Sequence, residues 1–383
     1  MKVLHVYRTS YPDTRGGLEE VIRQICSGTF RLGVENRVFS FTTSRDPWVI
    51  NLPHSRVYRV QQHLEVASCN MAFRGWSLFR SLVAWADIIH YHFPWPFADV
   101  MHLVNRVQKP SLVTYHSDII RQKQLLGLYR PLMHRFLGKV DQIVATSPNY
   151  VESSPVLKKF RFKTTVIPIG LDEAGYPEVR EEWLNRQEKE SGRDFFLFVG
   201  VLRYYKGLHI LLQALSLLDR KQAEIRMVIA GAGPEEANLK QQAKKLGLHN
   251  VTFLGFVSDE VKAALFRLCR AVVFPSHLRS EAFGVTLLEA SMHGKPMITA
   301  EIGTGTSFVN KKNETGLVVS PGDPHILADA IQSLASDRHL ATRLGEQARR
   351  RYQEYFTGET MCRSYEQLYR KLYHDRKLHQ GLP

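Results

Sequence analysis

The chain has 383 residues, of which 44% are hydrophobic, and its 51 Lys and Arg against 37 Asp and Glu give a formal net charge of +14. This composition excludes a disordered or collagen-like protein, and no run of about 18 apolar residues predicts a helix that spans a bilayer. The four cysteines, Cys26, Cys69, Cys269 and Cys362, include no CxxC pair, so neither a disulfide framework nor a zinc site is predicted.

The first apolar run, at residues 2–7, is short and is followed by Arg8, which favours a β-strand over a signal peptide and predicts a cytosolic protein. Similar runs alternate with helix-period segments such as 17–32 and 207–219. The remaining runs are 36–41, 87–92, 110–116, 142–147, 164–170, 195–200, 225–231, 251–256, 271–276, 295–300 and 316–320. This alternation predicts two α/β domains, each a doubly wound parallel sheet with crossover helices.

A polar, highly charged segment divides the two sets of strands and is interpreted as a linker at 173–193. The predicted N-terminal domain is therefore 1–172 and the predicted C-terminal domain is 194–361. A last helix, at about 362–383, is expected to pack back on the first domain. In such a pair the ligand is expected at the carboxyl ends of the strands, in a cleft that the two domains face.

The excess of positive charge lies in the first half, where residues 1–170 hold 22 Lys and Arg against 11 Asp and Glu. A basic surface attracts the phosphates of nucleic acid or of anionic lipid. The segment 118–139 mixes Lys and Arg with Leu, Met and Phe and suits helices lying on a membrane, although a core-packed helix pair explains it equally well. The mixed patch 158–163 is interpreted as a turn leading into a strand rather than a nucleic-acid site.

Two glutamates near one predicted helix give the strongest local signal. Glu281 lies in a loop after a strand, and Glu289 lies eight residues further on, inside the helix. Carboxylates accept hydrogen bonds from sugar hydroxyls, so both side chains are candidates for one polar ligand. Taken alone, a helix-capping acid and a solvated glutamate explain the pair better.

Arg203 and Lys206 stand three residues apart between a strand and a helix, an arrangement that suits a diphosphate. Small residues at 302–307 and the pair Gly16-Gly17 allow close approach of the backbone to an anion, although a bare turn explains either one. His116 ends a predicted strand, where functional and structural roles are equally expected. The sequence contains no Asp-x-Asp, HExxH or GxSxG, and its GxG at 231–233 is not a dinucleotide fingerprint, so no metal or cofactor is predicted.

As an ordered set, these motifs resemble the retaining glycosyltransferases of family 4, which have the GT-B fold. The resemblance covers nearly the whole chain, and three stretches are similar to bacterial GDP-mannose-dependent mannosyltransferases of surface polysaccharide (O-antigen) synthesis. The motifs are Gly16-Gly17, His116, GxLRxxKG at 200–207, AGxGP at 230–234, FLGFV at 253–257 and the glutamate pair at 281 and 289; the three stretches are 116–132, 144–157 and 277–290.

The resemblance implies a catalytic set and a donor-binding set. Arg203 and Lys206 would hold the donor diphosphate, Glu281 would contact the transferred sugar, and Glu289 would bind the ribose. His116 would touch the sugar near its 6-hydroxyl or assist at the reaction centre. The remaining implied donor contacts are Gly16 and Gly17 beside the phosphates, Thr306 and Ser307 completing the phosphate site, and Phe256 and Val257 near the base.

The implied activity is transfer of a hexose, with mannose from GDP-mannose preferred, to a lipid-linked oligosaccharide acceptor in lipopolysaccharide synthesis. The N-terminal domain would receive the acceptor and the C-terminal domain the nucleotide sugar. Peripheral attachment to an anionic inner membrane face is expected, with no nucleic-acid partner. The alternatives are another donor (a UDP-sugar or a GDP-deoxyhexose), a nucleotide-sugar 2-epimerase and, from the basic charge alone, a nucleic-acid binder.

Overall fold

The computed structural model describes residues 1–14, 16–44, 46–66, 69–71, 75–119, 123–220 and 225–379. These residues form two compact units. The first unit comprises Met1–Gly170 together with the chain from Gly358 onward, and the second comprises Leu171–Thr357. The chain therefore leaves the first unit at Gly170 and returns to it at Gly358, a few residues before the predicted boundaries at 172 and 361.

The first unit is built on an eight-stranded sheet in the order β10-β9-β8-β7-β1-β2-β4-β3, in which β3 alone is antiparallel to its neighbour. Strands β5 and β6 form a separate hairpin. The elements are β1 Lys2–Val6, α1 Gly17–Arg31, β2 Glu35–Thr42, β3 Val49–Leu52, β4 Ser55–Gln61, β5 Leu64–Val66, β6 Cys69–Met71, α2 Gly75–Trp85, β7 Ile88–Phe93, α3 Pro96–Val104, β8 Ser111–Tyr115, α4 Lys123–Lys139, β9 Gln142–Ala145, α5 Pro148–Ser153, α6 Pro155–Lys159 and β10 Thr164–Val166.

The second unit is a six-stranded parallel sheet in the order β13-β12-β11-β14-β15-β16. Its strand order reverses between β11 and β14, as in the doubly wound dinucleotide-binding sheets. The elements are α7 Glu181–Ser191, β11 Phe196–Val199, α8 Leu208–Arg220, β12 Met227–Ala230, α9 Glu236–Lys245, β13 Val251–Gly255, α10 Asp259–Leu268, β14 Ala271–Phe274, α11 Val285–Met292, β15 Met297–Ala300, α12 Thr306–Val309, β16 Gly316–Val319, α13 Pro324–Ser336 and α14 Arg338–Tyr355.

The predicted doubly wound architecture is confirmed, and each predicted apolar run contains a strand. Strands β11, β12, β14 and β15 are buried along their whole length. Continuous apolar strands of this kind occur where helices cover both faces of a parallel sheet. The prediction missed β3 to β6, because polar residues such as Arg56 and Arg59 interrupt their apolar pattern. Arg59 is nevertheless buried and pairs with Asp13.

The segment 173–193 is not a linker but part of the second unit. It contains a short 3-10 helix at Glu173–Gly175 and helix α7, which packs against α10. Trp183 and Leu184 are half-buried and Gln187 is buried. The charged residues of this helix lie on its exposed face. Because they dominate its composition, the sequence did not reveal the side that packs against α10.

The last helix, α15 (Gly358–His379), lies in the first unit and packs against α1 and β7. The two helices approach closely because Gly28 of α1 has no side chain: a Cβ there would lie 2.3 Å from Cys362 Sγ. Within the described residues, no helix is both long and apolar enough to cross a membrane.

Candidate active site

The eight candidate donor-site residues of this unit lie in the loops and helices that follow the strands at one edge of the second sheet. Arg203 and Lys206 follow β11, Glu281 follows β14, and Glu289 lies in the helix after that loop. Because the strands are parallel, their carboxyl ends share one edge, and the reversal between β11 and β14 leaves a crevice there. The other members are Phe256 and Val257 after β13 and Thr306 and Ser307 after β15.

Lys206 and Glu281 meet across this reversal as a buried ion pair. Lys206 Nζ donates to Glu281 Oε2, and each side chain is 11% exposed. The ammonium also lies 4.5 Å from the centroid of the Phe274 ring, a favourable cation–π distance. A positive charge is thus held at the carboxyl ends of β11 and β14 with a carboxylate beside it.

Gly207 makes this arrangement possible. It follows the 3-10 helix Tyr204–Lys206, and its backbone is left-handed, with φ of +74°. A Cβ at this position would lie 2.1 Å from the carbonyl oxygen of Pro275, so only glycine lets the Lys206 loop lie on the loop after β14. The two loops are also joined by a hydrogen bond of 3.0 Å from His277 N to Tyr205 O.

Arg203 differs from Lys206 in its surroundings. It precedes the same 3-10 helix but is exposed, and its side chain makes no hydrogen bond or ion pair with the described residues. One turn therefore presents an exposed guanidinium and a buried ammonium. These two cations can contact both phosphates of a diphosphate only if the diphosphate lies over this turn.

Glu289 has a separate pair of partners. Its carboxylate Oε1 lies 2.7 Å from Lys262 Nζ and accepts a hydrogen bond of 3.2 Å from the Tyr176 hydroxyl. Burial alone would lower the pKa of Lys262, but the carboxylates of Glu289 and, to a smaller extent, Asp259 outweigh burial and hold that pKa above its ordinary value. Both candidate glutamates are thus buried, and each has a lysine as a partner.

The 302–307 segment packs directly on the Glu281 loop. Gly305 N donates to Ala282 O over 2.8 Å, and Arg279 Nη1 donates to Gly303 O over 3.0 Å. Thr306 is buried and begins α12, whereas the Ser307 hydroxyl is engaged by Glu301 at 2.9 Å. The Ser307 hydroxyl is therefore already engaged within the second unit.

Phe256 and Val257 lie at the far side of this edge. Phe256 is 85% exposed and follows β13, which β12 separates from β11 by roughly 10 Å across the sheet. The glycines of the GxG segment serve packing: a Cβ at Gly233 would lie 2.4 Å from Leu202 O. These glycines let the loops after β11 and β12 lie against each other.

The three remaining candidates belong to the first unit. Gly16 caps α1 and Gly17 begins it, on the loop after β1, while His116 follows β8. The loop before Gly16 is held by Glu19, which accepts from the hydroxyls of Thr9 (2.7 Å) and Thr14 (2.8 Å). His116 is buried, and burial lowers its pKa to about 3.

Sequence reasoning missed Lys262 and Tyr176, the partners of Glu289. Tyr176 stands in the polar stretch interpreted as a linker, and Lys262 lies on the helix after β13. Neither position carries a local motif. A contact between residues 176, 262 and 289 follows only from the packing of the folded unit.

Comparisons with known proteins agree with this architecture. The family model "Glycosyltransferase Family 4" matches residues 15–174, and the model "Glycosyl transferases group 1" matches residues 179–351. D-rhamnosyltransferase WbpZ of Pseudomonas aeruginosa is 50% identical over 358 residues, which cover 94% of this chain and 93% of that protein. O-antigen chain mannosyltransferase C of Escherichia coli is 46% identical over 372 residues, 97% and 99% of the respective chains.

A solved structure of sucrose-phosphate synthase (tll1590) from Thermosynechococcus elongatus shares the fold, with a TM-score of 0.78 over 98% of this chain and 99% of that one, at 23% identity. The two doubly wound units with these strand-end loops define a glycosyltransferase of the GT-B fold. The chain belongs to the group 1 and family 4 glycosyltransferases.

The contact at Gly207 predicts a steric effect that a control glycine can isolate. Gly322 has a similar φ of +82°, but a Cβ added there would meet nothing within 4 Å. Gly322→Ala is expected to lower the free energy of unfolding by roughly 1–2 kcal/mol, the cost of the left-handed backbone. Gly207→Ala is expected to cost more, because it adds the collision with Pro275. Thermal unfolding of the two variants measures the difference, and equal losses would contradict the argument.

Proposed function

We propose that this glycosyltransferase transfers mannose from GDP-mannose, with retention of configuration, to a lipid-linked glycan in O-antigen synthesis. The observation that carries the proposal is the buried Lys206–Glu281 pair at the strand reversal of the second sheet. One relative, an O-antigen chain mannosyltransferase, supports both the pathway and the sugar. The name of that relative gives mannose as the transferred sugar, and the name of the other gives D-rhamnose.

The positive charges after β11 suit the departure of a nucleoside diphosphate. Breaking the bond between sugar and phosphate places negative charge on the phosphate oxygens, and preorganised cations stabilise that charge most effectively in a site with little water. Lys206 is already desolvated and held by Glu281, so it needs no rearrangement to act. Arg203, exposed on the same turn, would bind the outer phosphate oxygens.

Glu281 has its carboxylate engaged by Lys206, which makes it a poor nucleophile toward the sugar. The proposal therefore does not use the two-carboxylate scheme of retaining glycosidases. Instead the acceptor hydroxyl attacks the anomeric carbon on the face that the phosphate leaves, and the departing phosphate oxygen takes the hydroxyl proton. Glu281 would orient the sugar hydroxyls with its second oxygen.

Glu289 suits the ribose of the nucleotide. A buried carboxylate can accept hydrogen bonds from both hydroxyls of a vicinal diol. Lys262 and Tyr176 fix one of its oxygens, and the other is available for such a contact. Thr306 and Ser307 would complete the phosphate site, and Gly16 and Gly17 would let the loop after β1 approach an anion.

Loss of the Lys206 charge is the test of the proposed chemistry. Lys206→Met keeps much of the side-chain volume and is expected to lower turnover of GDP-mannose by about a hundredfold or more, as for loss of one preorganised charge-stabilising donor. Transfer to a lipid-linked acceptor is the measurement. Lys240→Met, which removes an exposed lysine paired with Glu236, is the control. Near-normal turnover of the Lys206 variant, with the fold verified by thermal unfolding, would refute the phosphate assignment.

The base of the donor is tested by nucleotide binding without added metal. GDP at a hundred times its Kd is expected to add about 2.7 kcal/mol to the stability, and UDP and ADP much less. Glu289→Ala is expected to remove the response, whereas Glu236→Ala, which removes the partner of Lys240 on α9, keeps it. Selective stabilisation by UDP would retain the fold and mechanism but reject mannosyl transfer from GDP-mannose.

A GDP-deoxyhexose is the second candidate donor, because the D-rhamnosyltransferase relative is 50% identical. D-rhamnose is mannose without its 6-hydroxyl, so both donors would share every contact except those at carbon 6. The proposed neighbour of that hydroxyl is His116. Competition between the two sugar nucleotides for the same protein decides which donor is preferred.

The first unit has a surface suited to an anionic membrane. It holds 27 Lys and Arg against 14 Asp and Glu, nearly all of the excess charge. Helix α4 buries Met133, Phe136 and Leu137 but exposes 83% of Leu128, so it has both a core face and an open face. Arg121 of the predicted basic stretch lies outside the described residues. Phe162 is also 83% exposed, amid the cations of 158–163.

Hydrogen bonds join these two segments into one region. Lys159 Nζ lies 3.2 Å from His134 Nδ1, and Lys163 Nζ donates to Gly138 O over 3.0 Å. Exposed apolar residues beside cations are typical of proteins that lie on anionic lipid. Such a surface would bring the enzyme to a lipid-linked acceptor.

The expected result is binding to vesicles that contain phosphatidylglycerol, weakened by salt and absent with neutral phosphatidylcholine. A Leu128→Ser and Phe162→Ser double variant is expected to bind about tenfold or more weakly, because it removes two apolar anchors. Co-sedimentation measures the binding. Phe256→Ser, equally exposed but in the second unit, is the control. Equal binding to both kinds of vesicle would contradict the proposal.

A further inference from the structure

Histidines from three neighbouring strands meet in the core of the first unit. His5 lies in β1, His92 in β7, and His116 directly after β8, and these strands are adjacent in the sheet. His5 Nδ1 lies 3.2 Å from His92 Nε2, and His92 Nδ1 lies 3.1 Å from His116 Nε2. At the other end His5 Nε2 lies 3.2 Å from Asn36 Oδ1. We call Asn36, His5, His92 and His116 the histidine chain.

Asn36 fixes which nitrogen donates in each hydrogen bond of the histidine chain. Its Nδ2 lies 3.0 Å from Cys26 O and 3.3 Å from Val34 O, and carbonyl oxygens can only accept, so the amide nitrogen must face them. Its Oδ1 therefore faces His5. Thr29 Oγ1 also lies near Oδ1, at 3.4 Å, but it donates its hydrogen to Ile25 O at 2.7 Å. The proton between Asn36 and His5 must come from His5 Nε2.

The remaining protons follow in order. Burial lowers the pKa of His5 to about 4 and that of His92 well below its ordinary value, so each ring carries one proton at neutral pH. His5, protonated on Nε2, accepts at Nδ1 from His92 Nε2. His92 in turn accepts at Nδ1 from His116 Nε2. Each ring is thus held in the same tautomer.

The chain ends at an atom with no partner. His116 is 5% exposed, and its Nδ1 is buried without a hydrogen bond to the described residues. Its proton is already committed to His92, so Nδ1 presents a bare lone pair. A buried acceptor of this kind costs free energy until a donor reaches it.

We propose that Asn36, acting through His5 and His92, makes His116 Nδ1 an obligate hydrogen-bond acceptor for a hydroxyl of the bound sugar. The assignment of that hydroxyl rests on the proposed function; the direction of the chain does not. Asn36, His5 and His92 are positioning residues, and only His116 would touch the ligand. Because its pKa is about 3, His116 accepts a hydrogen bond without removing the proton at neutral pH. It is thereby a specificity group rather than a general base.

A metal explains this cluster less well than hydrogen bonds do. Nitrogens of His5, His90 and His92 lie within 4.8 Å of one another. However, both nitrogens of His5 and of His92 are engaged within the chain, and His90 is held at 2.7 Å by the hydroxyls of Tyr369 and Thr114. A metal would have to break several of these bonds. His90 also has only hydroxyl partners, so nothing fixes its tautomer.

The direction of the chain is tested without any ligand. Nitrogen-15 NMR of histidine-labelled protein distinguishes a protonated from a bare ring nitrogen, and single substitutions of His5, His92 and His116 assign the signals. We expect protons on Nε2 and bare Nδ1 in all three rings at pH 7. A proton on Nδ1 of His116 in the wild-type protein would overturn the proposal, whatever the variants do.

Variants test the role of Asn36. Asn36→Leu and, independently, His5→Leu remove the inner acceptor, and in either one a mixture of His116 tautomers is expected. Thr114→Val is the matched control, because it removes a partner of His90 and leaves the histidine chain intact. If Asn36→Leu does not fold, His5→Leu decides the point. A single unchanged His116 tautomer in the folded variants would overturn the role of Asn36.

The ligand is tested with GDP-mannose and its 6-deoxy analogue, GDP-rhamnose. The wild-type protein is expected to prefer GDP-mannose by about five- to a hundredfold, since the analogue leaves a buried acceptor unpaired. His116→Leu is expected to abolish the preference, and Asn36→Leu to reduce it. Equal wild-type affinities would overturn the contact at the 6-hydroxyl. Failure to bind GDP or either sugar nucleotide would instead refute the proposed function, while the NMR result would still stand.

Discussion

The buried ion pair of Lys206 with Glu281 joins the loop after β11 to the loop after β14 in the second unit. Removing two charges from water is costly, and a buried pair often stabilises a fold no better than two apolar side chains would. The fold nevertheless holds the pair at the one place where the strand order reverses. Gly207, which has no side chain, lets the loop of Lys206 lie against the Pro275 carbonyl. The pair therefore keeps a fixed positive charge at the carboxyl ends of β11 and β14.

The side chains beside the strand-order reversal are charged in the second unit and uncharged in the first. Each sheet reverses its strand order, between β1 and β7 in the first and between β11 and β14 in the second. The second unit places buried ion pairs, Lys206 with Glu281 and Lys262 with Glu289, at the edge beside its reversal. The first unit fills the interior beside its reversal with neutral imidazoles, whose burial keeps them uncharged. One unit thus offers electrostatic attraction, and the other offers directed hydrogen bonding.

The fold was predictable because its strands are continuous apolar runs separated by helices, a pattern that can be recognised from the sequence alone. Strands β3 to β6 escaped because their polar residues break that pattern, and α7 escaped because its charges dominate its composition. At the site, Lys206 and Glu281 could be named but not paired. Their contact, like those of Glu289 with Lys262 and of His5 with His92, joins segments far apart in the sequence. Such contacts depend on strand order and packing.

Because α15 belongs to the first unit, the order in which the two units are synthesised differs from the order in which they are completed. Tyr369 hydrogen-bonds His90, and Tyr365 lies 2.9 Å from the hydroxyl of Thr114, so the last helix finishes a core begun by the first strand. Domains generally fold as units in the order in which they leave the ribosome. Here the second unit, Leu171–Thr357, emerges whole while the first still lacks α15. On the ribosome, the domain made first is therefore the one that matures last.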